Sequence, residues 1–227
     1  MSRSAQVPLE RFYAALKLLI GLRGMATLQE VIARRNLPAR GVYFFFDERE
    51  RRGASDGLRV IRVGTHALKR GARSTLRGRL RQHLGARAGH GNHRGSVFRL
   101  HVGAALLARD GAPLPSWGVG SSAPTEVRTA ERAHEQLVSR YIGDLHVVTL
   151  DIGDAPGPHS LRGYVERNVI ALLATAGRAV DPPSEEWLGH DAQRAAVRES
   201  GLWNVNHVDG GVDEGFLERF EAIVAGC

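Results

Sequence analysis

The run Gly41-Val42-Tyr43-Phe44-Phe45-Phe46 is dominated by β-branched and aromatic residues, the composition of a buried strand. A second apolar run follows at Leu58 to Gly64, where Leu58, Val60, Ile61 and Val63 alternate imperfectly with arginines. The charged stretch Asp47 to Gly57 between them reads as a long turn. The two runs are therefore expected to pair as an antiparallel hairpin that brings Tyr43 near residues 60–64.

Helical periodicity surrounds this hairpin. Leu9, Phe12, Leu16 and Leu19 line one side of a helix over Pro8–Leu22, and Thr27 is placed to cap a short helix ending near Arg35. Ser74 is the expected cap of a helix running to Leu84, with Leu76, Leu80 and Leu84 as its buried stripe and Arg77, Arg79, Arg81 and His83 on the other faces. The Gly- and His-rich stretch Gly85–Gly95 reads as a loop. Ser96 opens a helical segment containing Phe98, Val102, Ala105 and Leu106, and Thr125–Tyr141 reads as a helix leading into a third strand, His146–Ile152. Ser160 caps a helix with Leu161, Val165, Val169, Leu172 and Leu173 on its core face and Glu166 beside it. Asp181-Pro182-Pro183 marks a boundary before a more acidic tail. The expectation is an α/β (α+β) fold: a small, mainly antiparallel three-stranded sheet flanked by helices. Residues 1–40 form an N-terminal helical extension, 41–180 a core with a basic insertion at about 85–140, and 181–227 a C-terminal extension. Both extensions have apolar periodicity and are expected to pack on the core.

Charge narrows the function. The net charge is +7, and the excess is arginine: Lys17 and Lys69 are the only lysines among 31 basic residues. Between Gly57 and Arg109 there is no acidic residue, while twelve Lys/Arg and five His fall there. Such a block suits a polyanion, because the planar guanidinium donates two parallel hydrogen bonds to phosphate. A solvated basic face without a ligand is the competing reading. Cys227 is the only cysteine, so no disulfide forms within the chain and a reducing cytoplasm is the expected compartment. The apolar stretch Leu16–Leu22 is broken by Lys17 and Gly21 and is too short to span a bilayer, so no membrane association is expected.

Gly41-Val42-Tyr43 resembles the first half of the GIY-YIG nuclease signature, and Arg62-Val63-Gly64 stands where its second half belongs. In that family a following helix carries an arginine with a histidine four residues on, as Arg79 and His83 stand here, on one helical face. A third strand and a helix bearing a metal-binding glutamate come next, as in His146–Ile152 and Glu166 of Tyr164-Val165-Glu166-Arg167-Asn168. The resemblance covers roughly residues 41–175 and extends toward 207.

The resemblance implies a metal-dependent endonuclease hydrolysing phosphodiester bonds in double-stranded DNA, of a sequence-selective restriction or defence type. In it Tyr43 takes part in activating water, Arg79 binds the scissile phosphate, His83 assists proton transfer, and Glu166 holds Mg²⁺ or Mn²⁺. A tyrosine hydroxyl ordinarily ionises near pH 10, so such a role needs positive charge beside it. The second motif usually presents tyrosine where this chain has Arg62; some restriction-type members similarly place a basic residue there. Arg62 either assists Tyr43 and phosphate or marks a degenerate site. Asn204 or Asn206 would correspond to an asparagine that the family carries beyond the glutamate helix. Arg77, Arg81, His93, Arg94 and Arg99 are the expected nucleic-acid contacts of the basic helix and insertion. Glu166 pairing with Arg162 on an exposed helical face is the bland alternative to a metal role. A non-catalytic nucleic-acid-binding protein on the same scaffold and a structure-selective repair or recombination nuclease remain alternatives, and cutting both strands leaves a homodimer or sequential nicking open.

Overall fold

The computed structural model describes residues 3–53, 57–86, 90–177 and 180–227. Its sheet is antiparallel, with strands β1 (Ala26–Thr27), β2 (Gly41–Arg51), β3 (Leu58–Gly64) and β4 (His146–Asp151) in the order β1-β4-β2-β3. Three strands were expected and four are found among the described residues. The added strand, β1, has two residues that pair with Val147 and His146, too short for any periodic signal. Helix α1 spans Arg3–Arg23, α2 Leu28–Ala33, α3 Leu76–Leu84, α4 Val97–Asp110, α5 Thr125–Asp144, α6 Leu161–Leu172, α7 Ala195–Ser200 and α8 Phe216–Ala225. Among the described residues no helix is long and apolar enough to cross a membrane.

The central strand β2 explains why its sequence lacks alternation: both of its faces are covered. Val42, Phe44 and Phe46 enter one core with Leu9, Phe12, Leu16 and Leu19 of α1, Val165 and Val169 of α6, and Phe220 and Val224 of α8. Tyr43 and Phe45 point the other way, into a second core with Leu76 and Leu80 of α3, Phe98 and Val102 of α4, and Val138 and Ile142 of α5. Helices α1 and α8 of the two extensions thus close the first core, and the insertion closes the second together with α2 and with Trp187, Leu188 and Trp203 of the tail.

The hairpin is longer than the charges suggested. β2 continues through Arg51 instead of turning at Asp47, because the charged residues have partners: buried Glu50 binds Arg59 at 2.8 Å and Ser184 Oγ at 2.5 Å. Arg52 binds Asp181 at 2.6 Å and lies 3.9 Å from the Tyr13 ring centroid. Residues 54–56 of the expected turn, and 87–89 of the expected Gly85–Gly95 loop, lie outside the described residues. At α3 the cap is Thr75, whose Oγ1 accepts the Gly78 N–H at 3.0 Å, while the neighbouring Ser74 uses its carbonyl on His66 Nδ1 at 3.0 Å.

β3 ends the sheet, and the tail covers its open side. The Trp203 N–H donates to the Ile61 carbonyl at 2.8 Å, and the Asn204 amide brackets Val63, accepting its N–H at 3.1 Å and donating to its carbonyl at 2.8 Å. This pairing satisfies backbone groups that an edge strand otherwise leaves open.

Candidate active site

Two glycines allow the strands to meet around Tyr43. A side chain on Gly41 would place its Cβ 2.3 Å from the Leu150 carbonyl oxygen of β4, and one on Gly64 would sit 2.3 Å from the Tyr43 hydroxyl. Tyr43 is in register with Gly64, so the hydroxyl lies over the gap that the glycine leaves. From there it reaches His83 Nε2 at 2.8 Å, and His83 Nδ1 lies 2.8 Å from Ser96 Oγ at the start of α4. The chain Tyr43–His83–Ser96 is buried along its whole length.

His83 was expected on a face of α3 away from the leucine stripe; it is fully buried there, packed against Phe45 and Phe98. Burial, with the positive charges of Arg62, Arg79 and Arg99, holds its pKa well below 6.5, so the ring is neutral at neutral pH. The buried guanidinium of Arg62 stands over the Phe98 ring, 4.6 Å from its centroid, and donates to the Trp203 carbonyl. Burial lowers the Arg62 pKa, opposed by the neighbouring Tyr43 and Glu166 and reinforced by Arg79. Arg79 is half-buried, with Gln82 Oε1 at 3.1 Å as its hydrogen-bond partner.

Glu166 approaches from α6. Its Oε1 accepts the Thr65 N–H at 3.0 Å, and the Thr65 hydroxyl donates to the Gly41 carbonyl at 2.8 Å, tying the carboxylate to both motif strands. Burial raises the Glu166 pKa, against the opposing Thr65 N–H, Arg62 and Arg79. The surface pair with Arg162 does not form: Arg162 is buried and binds Asp154 at 2.5 Å and the His66 carbonyl at 2.8 Å. Tyr43, Arg62, Arg79, His83 and Glu166, drawn from β2, β3, α3 and α6, therefore converge.

The expected nucleic-acid contacts divide differently. The Arg94 side chain is buried and donates two hydrogen bonds to Glu131, and Arg99 is buried against Glu135 and the carbonyls of His83 and Leu84. His93 binds Glu135 at 3.0 Å and stacks on Trp117, with ring centroids 3.8 Å apart. Arg77 holds the Ile32 and Arg34 carbonyls at the end of α2. These four side chains are committed inward because each finds an acceptor distant in sequence, and Asn204 is spent on Val63. Arg81 and Asn206 are exposed. Arg81 lines a cavity of about 630 Å³ together with Arg128 and Arg132 of α5. Its acidic members Glu131 and Glu135 are buried and already paired with Arg94 and Arg99, leaving the three exposed arginines uncompensated by them.

Three polar residues near the site escaped the sequence reading. Ser96 was legible only as a helix cap. His66, two residues past Gly64, is buried with Nε2 unpartnered among the described residues, and burial together with Arg162, Arg40 and Arg79 lowers its pKa to about 4. His101 is likewise lowered to about 4 by burial, Arg62 and Arg194. Proximity to Gly64 was the only available signal for His66.

In comparison with known families, the GIY-YIG domain matches the chain over residues 1–227, extensions included. No curated protein and no solved structure matches it.

Proposed function

The chain belongs to the GIY-YIG domain family, a family of nucleases, and from that premise we propose that it is a metal-dependent DNA endonuclease of sequence-selective, restriction or defence type. The observation that carries this reading is the convergence around Tyr43 of a neutral histidine, two arginines and a carboxylate from three other elements, β3, α3 and α6.

Hydrolysis needs a group to take a proton from water, positive charge on the phosphate oxygens, and stabilisation of the departing 3′-oxygen. In this reading the Tyr43 hydroxyl passes its proton to neutral His83, 2.8 Å away, as it takes one proton from the attacking water, whose oxygen bonds to phosphorus while the bond to the 3′-oxygen breaks. Arg62 supports negative charge on Tyr43, Arg79 orients the phosphate, and His83 hydrogen-bonds the tyrosine oxygen. Glu166 suits a hard divalent cation: Thr65 occupies Oε1, and Oε2 has no partner among the described residues. One carboxylate completed by waters and substrate phosphate is a common Mg²⁺ environment. When bound, Mg²⁺ or Mn²⁺ supplies positive charge at the phosphate and the departing oxygen. The cavity bordered by Arg81, Arg128 and Arg132 suits the DNA backbone, with arginine contacts to guanine edges as the source of selectivity.

A second reading rests on a specific feature. Tyr43 is fully buried and Arg62 replaces the motif tyrosine, which favours a scaffold that binds DNA without turnover. Incubation of the purified protein with plasmid and genomic DNA, with and without Mg²⁺ or Mn²⁺, separates the two. Discrete fragments that require metal and vanish in Glu166→Ala and Tyr43→Phe are expected. No cleavage with either metal, alongside salt-sensitive binding that persists in a chelator, would support the second reading.

A further inference from the structure

Helix α5 carries arginines at a four-residue interval: Arg128, Arg132 and, after Gln136, Arg140. At 1.5 Å per residue the row extends about 18 Å, and it forms one side of a groove whose other side is the end of α3 and the residues that follow it. Two adjoining cavities make up the groove, one of about 630 Å³ beside Arg128 and Arg132 and one of about 860 Å³ beside Gln136 and Arg140; Arg81, Gly85 and Ala86 border both.

The helix itself holds acids that could neutralise this row. Glu131 and Glu135 stand three residues after Arg128 and Arg132, a spacing at which opposite charges pair on a helix surface. Both carboxylates are instead drawn inward, Glu131 onto Arg94 and Glu135 onto Arg99 and His93. Arg81, Arg128, Arg132 and Arg140 are all exposed, and none of the four has a carboxylate partner among the described residues. Like charges one helical turn apart destabilise a helix, a cost that an anion lying in the groove offsets. Guanidinium forks repeated along a groove suit a chain of phosphates; a flat bilayer surface cannot follow such a groove, and a nucleic-acid strand can.

The groove begins beside the reacting centre. Arg79 donates to Gln82 Oε1 at 3.1 Å, and Gln82 lines the first cavity. We propose that the groove along α5 is a phosphate track that holds one strand of duplex DNA beyond the scissile phosphate, over about five nucleotides at roughly 3.4 Å each. The track deepens the nuclease reading and rests on it for its place next to the cut bond, while its binding of DNA does not depend on catalysis. Phosphate contacts fix register and carry no sequence information, so the track anchors DNA whatever its sequence.

Fluorescence anisotropy of a labelled random-sequence duplex, titrated with the full chain in chelator at a series of salt concentrations, tests the track without cleavage. Arg132→Gln and Arg140→Gln are each expected to weaken binding about 5–10-fold at about 0.1 M salt. Each is also expected to flatten the slope of log affinity against log salt by about 0.9, the counterion release of one phosphate contact. Arg109→Ala, which removes the same charge outside the groove, is expected to keep the wild-type slope. Wild-type slopes in both groove variants overturn the track, as does an equal loss in Arg109→Ala, which would make binding a response to net charge. A loss seen only with single-stranded DNA or with phosphatidylserine vesicles, duplex binding being unchanged, overturns it as well. Wild-type slopes in the groove variants beside metal-dependent cleavage refute the track and leave the nuclease reading standing. Flattened slopes in a protein that cuts DNA with neither Mg²⁺ nor Mn²⁺ refute the nuclease reading and leave the track standing.

Discussion

One strand feeds two cores of different character. On one side of β2, Phe44 packs with Phe12 and Phe220, ring centroids 6.2 and 6.3 Å away, among aliphatic side chains from α1, α6 and α8. On the other side, one residue away in sequence, Tyr43 enters a core threaded with His83, Ser96, Arg62 and the buried Arg99–Glu135–His93 cluster. The first core depends on shape and on apolar area removed from water. The second buries ionisable groups, tolerable only because they find partners and because opposite charges meet in a low-dielectric interior. On the proposed nuclease reading, the difference puts stability mainly on one face of the sheet and chemistry on the other.

Substituting adjacent residues of β2 gives the sharpest test. Phe44→Ala is expected to lose about 3–5 kcal/mol of stability through the cavity it leaves, while molecules that remain folded in the cold still cut DNA. Tyr43→Phe removes one buried hydroxyl, costs about 1 kcal/mol, and slows cleavage by about 10²–10⁴-fold. Urea unfolding and cleavage assays on the same preparations check both, and wild-type cleavage by Tyr43→Phe would erase the division between the faces.

Acid should distinguish the cores next. His83, His66 and His101 have folded pKa values below the ordinary 6.5, the last two near 4, so the unfolded chain binds protons that the folded one refuses. Their contribution is complete above about pH 6.5 and is lost as pH falls toward 4. Burial pushes the Glu135 pKa up, but His93 and Arg99 outweigh it and leave it below 4.5. Its stabilisation is present above the ordinary carboxylate range and is lost as pH falls through the depressed value. Thermal melting followed from pH 7 downward should show a decline below about pH 6.5 that is shallower in His101→Gln. A flat profile between pH 6.5 and 4 would remove buried neutral histidine from the account of the second core.

The smallest effect concerns the rim of that core. Arg109 of α4 meets Asp191 at 2.8 Å with both side chains substantially exposed. Arg109→Ala is expected to cost at most about 1 kcal/mol in urea unfolding and to leave cleavage unchanged. A larger loss would mean that surface pairs, and not only buried ones, hold the insertion down.

Much of this architecture was legible because it depends on near neighbours. Leu9, Phe12, Leu16 and Leu19 recur at helical spacing and are buried together; Thr27, Ser96 and Ser160 cap the helices they precede; Arg79 and His83 stand one turn apart on α3. Gly41, Gly64 and Glu166 could be picked out by resemblance to a known signature. The sequence by itself thus determined the longer helices, the three longer strands, and which residues were candidates for the site. Tertiary structure alone decided which charged side chains face solvent. An arginine reads the same in sequence whether it is exposed like Arg81 or buried like Arg94 and Arg99, whose acidic partners lie 37 and 36 residues away. It also decided that Asn204 would bracket Val63 from 141 residues away, and that Ser96 would meet His83 across a loop. Burying an arginine or orienting a histidine requires a specific partner within hydrogen-bond distance, and the chain creates that proximity only when distant segments pack.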